Sequence, residues 1–293
     1  MTVRVRAPAT SANLGPGFDC LGMAWQLYNV MEFLPGQDDL RISGCPPACA
    51  NRENLAYRGY RAALVAAGLP DEPLEIRFLE TNVPISRGLG SSAALIAGGV
   101  LAADGMHGLG LSQREMAAIA AKIEGHPDNV VPALLGGLTA AAMEEGRPMT
   151  AAYAVHPSWH FAALIPDTPL PTAKARQALP AQVSRADAVF SLSHTALLLR
   201  ALESGDADML RFAMTDRLHQ PYRLPLIPGS DAALTLAREC GAVAHCISGA
   251  GSTLLCVLRE EDGVAKMQAA LASALPAWRC VTLRVDGQGA AIL

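Results

Sequence analysis

The sequence has few aromatic residues, no excess of positive charge and no apolar run of membrane-spanning length. Aromatic side chains are 5% of 293 residues although 51% are hydrophobic, so the core must be built mainly from Ala, Leu and Val. The net charge is −4, and Lys and Arg form no run, which argues against a nucleic-acid partner. The longest apolar stretch, 93–103, is too short to cross a bilayer. We therefore expect a soluble protein with no membrane partner.

Paired cysteine motifs are also absent. The seven cysteines are odd in number and scattered, without a C-x-x-C spacing, so no zinc site is indicated and buried reduced thiols are expected. Because disulfides rarely persist in the cytoplasm, this cysteine usage points to that compartment. The opening MTVRVRAPATSA alternates like a strand and lacks the apolar core of a signal peptide. We expect the mature protein to begin here.

Periodicity and turn residues predict mixed helices and strands in two domains, 1–155 and 156–293. The boundary is placed where the pattern weakens, around the polar break EEGRP. The mixture indicates an α+β fold. In the first half we predict strands at 3–7 and 74–80, a long loop after the first strand, helices at 54–67 and 92–104, and a capping-box helix from Ser112 to Gly125. In the second half we predict strands at 159–165 and 279–285, two strands flanking a glycine turn at 242–258, and helices at 186–204, 206–219, from 230, and at 261–274.

One glycine-rich turn stands directly before an apolar helix, in PISRGLGSSAALIAGG at 84–99. Glycines let the chain turn sharply and aim consecutive N–H groups into one concavity. Ser91 and Ser92 then open the helix, whose first turn carries unpaired N–H groups and the positive end of the helix dipole. The motif fits a phosphate-binding loop, but also a capped buried helix, because short glycine motifs recur by chance.

Three such turns at wide separation are more specific than one. They are SANLGPGFDCLG at 11–22, GLGSSAA at 88–94 and SGAGSTLL at 248–255. Together they resemble the GHMP kinase superfamily, whose phosphate loop P-x-x-x-G-L-G-S-S-A-A is matched at 84–94. Within it, APATSANLGPGFDCLGMAW and EGHPDNVVPALLGG resemble the homoserine kinase family, and the likeness runs along the whole chain. It implies the GHMP kinase fold, with a ribosomal-protein-S5-like, ATP-binding N-terminal domain, a ferredoxin-like C-terminal domain and an active site between them.

The resemblance implies that the 84–94 loop wraps the phosphates of ATP. No G-x-x-x-x-G-K-[ST] motif occurs, so backbone amides and the helix dipole must replace a P-loop lysine. Ser92 and Glu124 match the family's magnesium ligands, and with Asn129 they are the expected catalytic residues; a surface carboxylate at a helix end is the alternative for Glu124. The expected ATP-binding residues are Asn54, Pro84, Arg87, Gly88, Leu89, Gly90, Ser91, Ser92, Ala93 and Ala94.

The resemblance implies an amino-acid acceptor, L-homoserine, which would need a cation for its carboxylate, an anion for its ammonium group and a partner for its hydroxyl. By resemblance, two arginines would clamp the carboxylate, Asp19 would bind the ammonium group and Asn129 would contact the hydroxyl. Turn formation is the alternative role for Asn and Asp. The expected substrate-binding residues are Asn13, Asp19, His126, Asn129, Thr172, Arg176, Arg223 and Gly249.

The sequence indicates no essential general base. The homoserine kinase family has asparagine, here Asn129, where mevalonate-kinase-like relatives have an aspartate, and the neighbouring Asp128 is expected to point elsewhere. A loose transition state gains little from early deprotonation of the nucleophile. The third motif, 248–252, is expected to support the phosphate loop, although Ser252 stands where many relatives have proline. Another GHMP small-molecule kinase and a non-catalytic nucleotide-binding relative remain alternatives, and a homodimer is expected from the family alone.

Overall fold

The fold consists of two β-sheets with helices packed on them, in a computed structural model that describes residues 1–37 and 39–293. The strands are β1 (Val3–Ala12), β2 (Leu21–Pro35), β3 (Arg41–Ser43), β4 (Leu74–Thr81), β5 (Leu138–Glu144), β6 (Arg147–Tyr153), β7 (His160–Pro166), β8 (Ala242–Ile247), β9 (Leu254–Leu258), β10 (Trp278–Leu283) and β11 (Ala291–Ile292). The helices are α1 (Leu55–Ala66), α2 (Ser91–His107), α3 (Gln113–Glu124), α4 (Pro127–Leu135), α5 (Thr172–Gln177), α6 (Arg185–Ser204), α7 (Ala207–Ala213), α8 (Gln220–Arg223), α9 (Ser230–Glu239) and α10 (Asp262–Ala274).

The first sheet has seven strands in the order β11-β1-β2-β4-β3, with β5 added to β2 and β6 to β5. Alternate residues of β4 are buried, which puts one face of the sheet against helices α1 to α4. Helices α1 and α2 approach closely through glycines. A Cβ at Gly59 would lie 2.4 Å from the carbonyl oxygen of Ile96, and one at Gly99 would lie 2.0 Å from that of Ala56. The small residues of α2 therefore permit close packing, as expected.

The second sheet has four antiparallel strands in the order β10-β7-β9-β8. Helices α9 and α10 pack on one face over an aliphatic core. The other face shares a core with the first sheet, in which the rings of Trp25 and Phe161 lie 5.1 Å apart. This shared core joins the two halves and holds the loop after β1 against the second half. One sheet with its helices in each half is the expected α+β architecture.

The first strand is longer than the sequence predicted. It continues through Ala12 rather than ending at residue 7, because Thr10 and Ser11 pair with Ala24 and Met23 of β2 and are fully buried. Their hydroxyls find hydrogen-bond partners inside the protein, so polar residues that looked like loop are tolerated in a central strand. The loop that follows is correspondingly short.

The structure refines three further segments. The polar break EEGRP is the turn of a hairpin between β5 and β6. The helix predicted at 206–219 ends at Ala213, since Asp216 accepts from the backbone N–H groups of the next turn. The strand predicted at 279–285 is β10, and a further strand that the sequence did not predict, β11, follows it and pairs with β1, with Ile292 opposite Val5. By contrast, the capping box at Ser112 is confirmed in both directions. Among the described helices, none has both the length and the apolarity that a membrane crossing requires.

Candidate active site

A cleft of about 440 Å³ lies between the two halves, where the loop after β4, the start of α2 and the loop between β8 and β9 meet. Leu89, Ala93 and Ala94 are buried behind its wall, and Asp19 is joined to the wall through Arg176. The fold thus gathers residues that are more than 200 positions apart in the chain. The wall contains these residues singled out from the sequence: Asn13, Asn54, Pro84, Arg87, Gly88, Gly90, Ser91, Ser92, Glu124, His126, Asn129, Thr172, Arg176, Arg223 and Gly249.

The turn before α2 requires glycine at two positions. Gly88 and Gly90 have φ of +76° and +65°. A Cβ at Gly88 would lie 2.2 Å from the carbonyl oxygen of Ser248, and one at Gly90 would lie 1.8 Å from Oγ1 of Thr10. Gly90 begins α2 without a side-chain cap, so the N–H groups of the first turn have no partner within the helix. Ser91 belongs to that turn and lines the cleft, so the helix presents the geometry of an anion site.

The third glycine motif supports this turn from the other half of the molecule. Ser248 Oγ donates to the carbonyl oxygen of Gly88 at 2.6 Å, and Thr253 N donates to that of Arg87 at 3.0 Å. Ser252 is buried, and its Oγ donates to a carbonyl oxygen of the loop after β7 at 2.6 Å. The third motif therefore contacts the 84–94 loop from the other half of the molecule, as expected, and serine at position 252 is accommodated with a hydrogen bond.

The guanidinium of Arg87 is bound to backbone carbonyls. Nε donates to Pro166 O at 3.0 Å, Nη1 donates to Ile85 O at 3.3 Å, and Nη2 donates to Asp167 O. Arg87 thus fastens the phosphate loop to the end of β7. Two residues predicted beside the nucleotide are therefore engaged locally, since Asn54 likewise caps α1 through its side chain.

Ser92 and Glu124 meet at the start of α2. Ser92 Oγ donates to Glu124 Oε1 at 2.6 Å, from the first turn of α2 to the last residue of α3. Burial raises the pKa of the Glu124 carboxyl, opposed in part by the Ser92 hydrogen bond and by His126. A hydroxyl and a carboxylate beside a helix N-terminus are oxygen donors of the kind that Mg²⁺ prefers, so these two residues fit that ion.

A second group of metal-ligating atoms lies nearby. Asp19, His126 and Asp128 offer atoms within 4.8 Å of one another. However, Asp19 is bound by Arg176, and His126 Nδ1 contacts Asp128 Oδ1 at 2.5 Å. These charges are already paired, and an imidazole nitrogen suits Mg²⁺ poorly. Of the two groups, the Ser92 and Glu124 pair fits better.

Asn129 is held by Thr10, which lies beyond the end of the strand predicted at 3–7. Its Oδ1 accepts from Thr10 Oγ1 at 2.8 Å, which leaves its NH₂ group free to donate into the cleft. The preceding Asp128 is buried and turned towards His126. Burial lowers the pKa of the His126 imidazole, but the hydrogen bond and charge of Asp128 raise it by more, so the net shift is upward.

Asp19 and Arg176 form a bidentate ion pair. Arg176 Nη2 donates to Asp19 Oδ1 at 2.7 Å and Nη1 donates to Oδ2 at 3.1 Å. The hydrogen bond to Asp19 raises the pKa of Arg176. The backbone of Asp19 is fixed as well, because its N–H donates to Asn13 Oδ1 at 2.9 Å. The residues expected to bind the ammonium and carboxylate groups of a substrate are therefore each other's partners.

Arg223 is almost completely buried, at 1% exposure. Burial lowers the pKa of its guanidinium. Its Nη1 donates to Gly249 O at 3.2 Å, and Asn13 Nδ2 donates to the same oxygen at 2.8 Å. The Phe18 ring lies beneath both arginines, 5.3 Å from the Arg223 guanidinium and 5.8 Å from that of Arg176. This packing orients two cations at one end of the cleft.

Sequence reasoning missed several residues of the site. Thr10 would have been found by continuing the strand alternation past Pro8. Phe18 lies in the 11–22 motif, but roles were assigned from the sequence only to other residues of that motif. The wall near Asn54 carried no recognisable pattern, because its residues come from separate segments and are of mixed types: Ala48, Cys49, Asn51, Glu53, Leu55, Ile85 and Leu95.

Known proteins resemble this chain along its whole length. The family model of the GHMP kinases N terminal domain matches residues 54–137, and that of the GHMP kinases C terminal matches residues 198–277. Homoserine kinase of Clostridium beijerinckii is 39% identical over 99% of this chain and 98% of its own. Homoserine kinase of a Synechococcus species is 43% identical over 100% and 96%. A crystal structure of homoserine kinase from Cytophaga hutchinsonii superposes with a TM-score of 0.89 at 26% identity, covering 100% and 97%. Motifs, fold and relatives agree, and the chain belongs to the homoserine kinase family of the GHMP kinases.

Proposed function

We propose that this protein transfers the γ-phosphoryl group of MgATP to the side-chain hydroxyl of L-homoserine, giving O-phospho-L-homoserine for threonine biosynthesis. The observation that carries the proposal is a single cleft with an anion-binding helix start at one end and Asp19, Arg176 and Arg223 at the other. The family relatives, which are named homoserine kinases, support it. In this proposal the chain acts in the cytoplasm.

At the phosphate end, the backbone N–H groups of 88–93 bind the phosphate oxygens, aided by the positive end of the α2 dipole. Ser92 and Glu124 would hold Mg²⁺, which supplies neutralisation of the charge on the transferring phosphoryl group. The closed arrangement of Gly88, Ser248 and Arg87 keeps those N–H groups in place without rearrangement.

At the acceptor end, the ammonium and carboxylate groups of an amino acid complement the pair formed by Asp19 and Arg176. The ammonium group binds Asp19, and the carboxylate binds Arg176 and Arg223. Thr172 and Gly249 lie in the adjoining wall. Asn129 directs its NH₂ group towards the hydroxyl oxygen, with His126 beside it, and Asn13 holds the Gly249 turn. A sugar or a terpenoid acid lacks the ammonium group that Asp19 would bind.

The transfer needs no essential base in this arrangement. Asp128 is buried against His126, and Asn129 does not titrate. Because little bonding to the nucleophile exists in a loose transition state, alignment of the hydroxyl with the γ-phosphorus and neutralisation of charge supply the rate enhancement. The bond from the γ-phosphorus to ADP breaks as the new P–O bond forms, and the hydroxyl proton leaves late, to an oxygen of the transferred phosphoryl group and then to solvent.

The test is release of ADP by purified protein with MgATP, comparing L-homoserine with mevalonate, galactose, L-serine and no acceptor. Strong turnover with L-homoserine alone is expected. Turnover with another acceptor would retain the kinase assignment and refute the substrate. Bound ATP without turnover on any acceptor would indicate a non-catalytic relative.

Two organisational statements belong to the same proposal. The chain divides near residue 155, between Tyr153 at the end of β6 and His160 at the start of β7, giving a nucleotide-binding domain of 1–155 and a second domain of 156–293. The protein forms a homodimer, as the family resemblance suggests. Light scattering on the purified protein gives the mass that checks the dimer.

A further inference from the structure

One fully buried histidine lies directly behind the acceptor end of the cleft. His219, immediately before α8, has 0% exposure. Its Nε2 lies 2.9 Å from Gly15 O, and its Nδ1 lies 3.4 Å from Nη1 of Arg223. Its ring stacks on Phe18, with centroids 5.3 Å apart and planes at 25°. His219 is not among the described residues that line the cleft.

The two neighbours of the ring fix its protonation state. A guanidinium can only donate and a carbonyl oxygen can only accept. Nδ1 must therefore accept from Arg223, and Nε2–H must donate to Gly15 O. The imidazole is consequently neutral and held as one tautomer, and burial, which lowers the pKa of His219, acts in the same direction.

The main chain of His219 is fixed as tightly as its ring. Both oxygens of the Asp216 carboxylate accept backbone N–H groups, from Leu218 at 2.8 Å, from His219 at 2.9 Å and from Gln220 at 2.7 Å. The Asp216 carboxylate also lies 3.6 Å from His219 Nε2. The turn into α8 thus delivers the imidazole to one position between the loop after β1 and Arg223.

Two segments of the acceptor end, the loop 13–20 and helix α8, meet at this ring. The loop 13–20 is attached through Gly15, the aromatic surface beneath both guanidiniums is attached through Phe18, and Arg223 is attached directly. We propose that His219 is a positioning residue, which fixes Arg223 and the loop bearing Asp19 in the geometry that receives the acceptor's charged groups. This inference rests on the proposed function, in which Arg223 binds the acceptor carboxylate.

The role predicts a selective kinetic effect. His219→Phe keeps the ring volume and the stacking on Phe18, but it removes the donor to Gly15 O and leaves Arg223 Nη1 with Gly249 O as its remaining acceptor. We expect the KM for L-homoserine to rise by about 10- to 100-fold, the scale of a lost hydrogen bond to a buried charge, while the KM for ATP stays within about twofold. His219→Gln can still donate to Gly15 O, and we expect it to recover part of the loss.

A matched control separates positioning from packing. His194 is also buried, at 6% exposure, and stacks on Phe190 and Phe212 away from the cleft. We expect His194→Phe to change Tm without changing the KM for L-homoserine. An equal rise of both KM values in His219→Phe, or a fall in Tm with neither KM altered, would show a merely structural role and overturn the proposal.

A second measurement on the wild-type protein does not depend on turnover. In ¹⁵N-histidine-labelled protein, the His219 resonances, assigned by their loss in His219→Gln, are expected to report the neutral Nε2–H tautomer at neutral pH. A protonated ring or the Nδ1–H tautomer would contradict the proposed contacts. If the expected tautomer were found but no homoserine-dependent turnover, the proposed function would be refuted and the contacts of His219 would still be established. The positioning proposal would then also be refuted, because there would be no homoserine to position.

Discussion

The two ends of the cleft are built on different principles. At the phosphate end, the ligand-binding groups are mainly backbone N–H groups of one continuous segment, held open by Gly88 and Gly90. At the acceptor end, they are side chains from distant segments, and their charges already compensate one another, as in the pair of Asp19 and Arg176. In the proposed function, the first end would bind any phosphate without rearrangement. The second end selects, because an acceptor must offer both charges to exchange partners with that pair.

The largest effect is expected at the phosphate end, from Glu124→Gln. The substitution keeps the size of the side chain and removes the negative charge beside Ser92. We expect kcat to fall by about 10²- to 10³-fold, as when one electrostatic contact to the transition state is removed, and the Mg²⁺ concentration for half-maximal rate to rise. Glu144→Gln, an exposed carboxylate at the end of β5, is the control. A fall in kcat of less than tenfold would show that Glu124 does not bind the metal ion.

A steric substitution tests whether the phosphate end depends on backbone geometry. In Gly90→Ala the new Cβ would collide with Thr10 Oγ1, which lies 1.8 Å away, and displace the start of α2. We expect kcat/KM for ATP to fall roughly 100-fold, the scale of a misplacement near 1 Å. Gly110→Ala is matched in backbone strain, since Gly110 has φ of +67° but nothing within 4 Å. Equal kinetics in the two variants would count against a preformed phosphate end.

The same contrast explains what the sequence could predict. The phosphate end could be predicted because the proposed phosphate contacts lie in one contiguous string, GLGSSAA, whose residue types suit the local backbone geometry. The residues of the acceptor end were located only by family resemblance, and their mutual contacts could not be foreseen. Nothing in the sequence pairs Asp19 with Arg176 or places His219 beneath Arg223, because those contacts depend on how two sheets pack.

The same division between local signals and distant contacts applies to the fold. Helices with capping signals, such as the one after Ser112, appeared where expected. The extension of β1 through Thr10 and Ser11 and the return of β11 to β1 were missed. Both depend on partners far along the chain, which supply either the hydrogen bonds of buried hydroxyls or the neighbouring strand itself.

Asp19→Asn tests the selective end. It removes the charge that pairs with Arg176 while keeping the side-chain shape, and we expect the KM for L-homoserine to rise by about 10- to 100-fold with little change for ATP. Asp208→Asn breaks an ion pair of similar length, 2.8 Å to Arg211, that is exposed on the surface, and is expected to be kinetically silent. If both substrates were affected equally in Asp19→Asn, the division into two ends would be wrong.

Asp128→Asn tests whether Asp128 acts as a general base for the acceptor hydroxyl. An amide at this position can still accept from His126 Nδ1, so we expect kcat to fall by less than about tenfold. The rate should be measured with both substrates saturating, so that binding changes do not contribute. A loss of several orders of magnitude with both substrates still bound would identify Asp128 as a base and contradict the proposed mechanism.

The smallest effect is a difference in the pH dependence of stability. His219, behind the acceptor end, has a pKa below its ordinary value of 6.5 because of burial. Below pH 6.5, His219 therefore binds a proton in the unfolded chain but not in the folded protein. The free energy of unfolding then falls as the pH falls, by at most about 1.4 kcal/mol per pH unit.

His126, in the wall of the same cleft, shows the opposite sign. Its pKa is raised because the hydrogen bond and charge of Asp128 outweigh burial. The folded state therefore binds the extra proton above pH 6.5, and this stabilisation is lost as the pH rises through the folded pKa. In urea unfolding from about pH 5 to about pH 8, we expect His219→Gln to flatten the acid side and His126→Gln to flatten the alkaline side. If both variants flattened the same side, the two histidines could not occupy the opposite electrostatic environments that burial gives His219 and Asp128 gives His126.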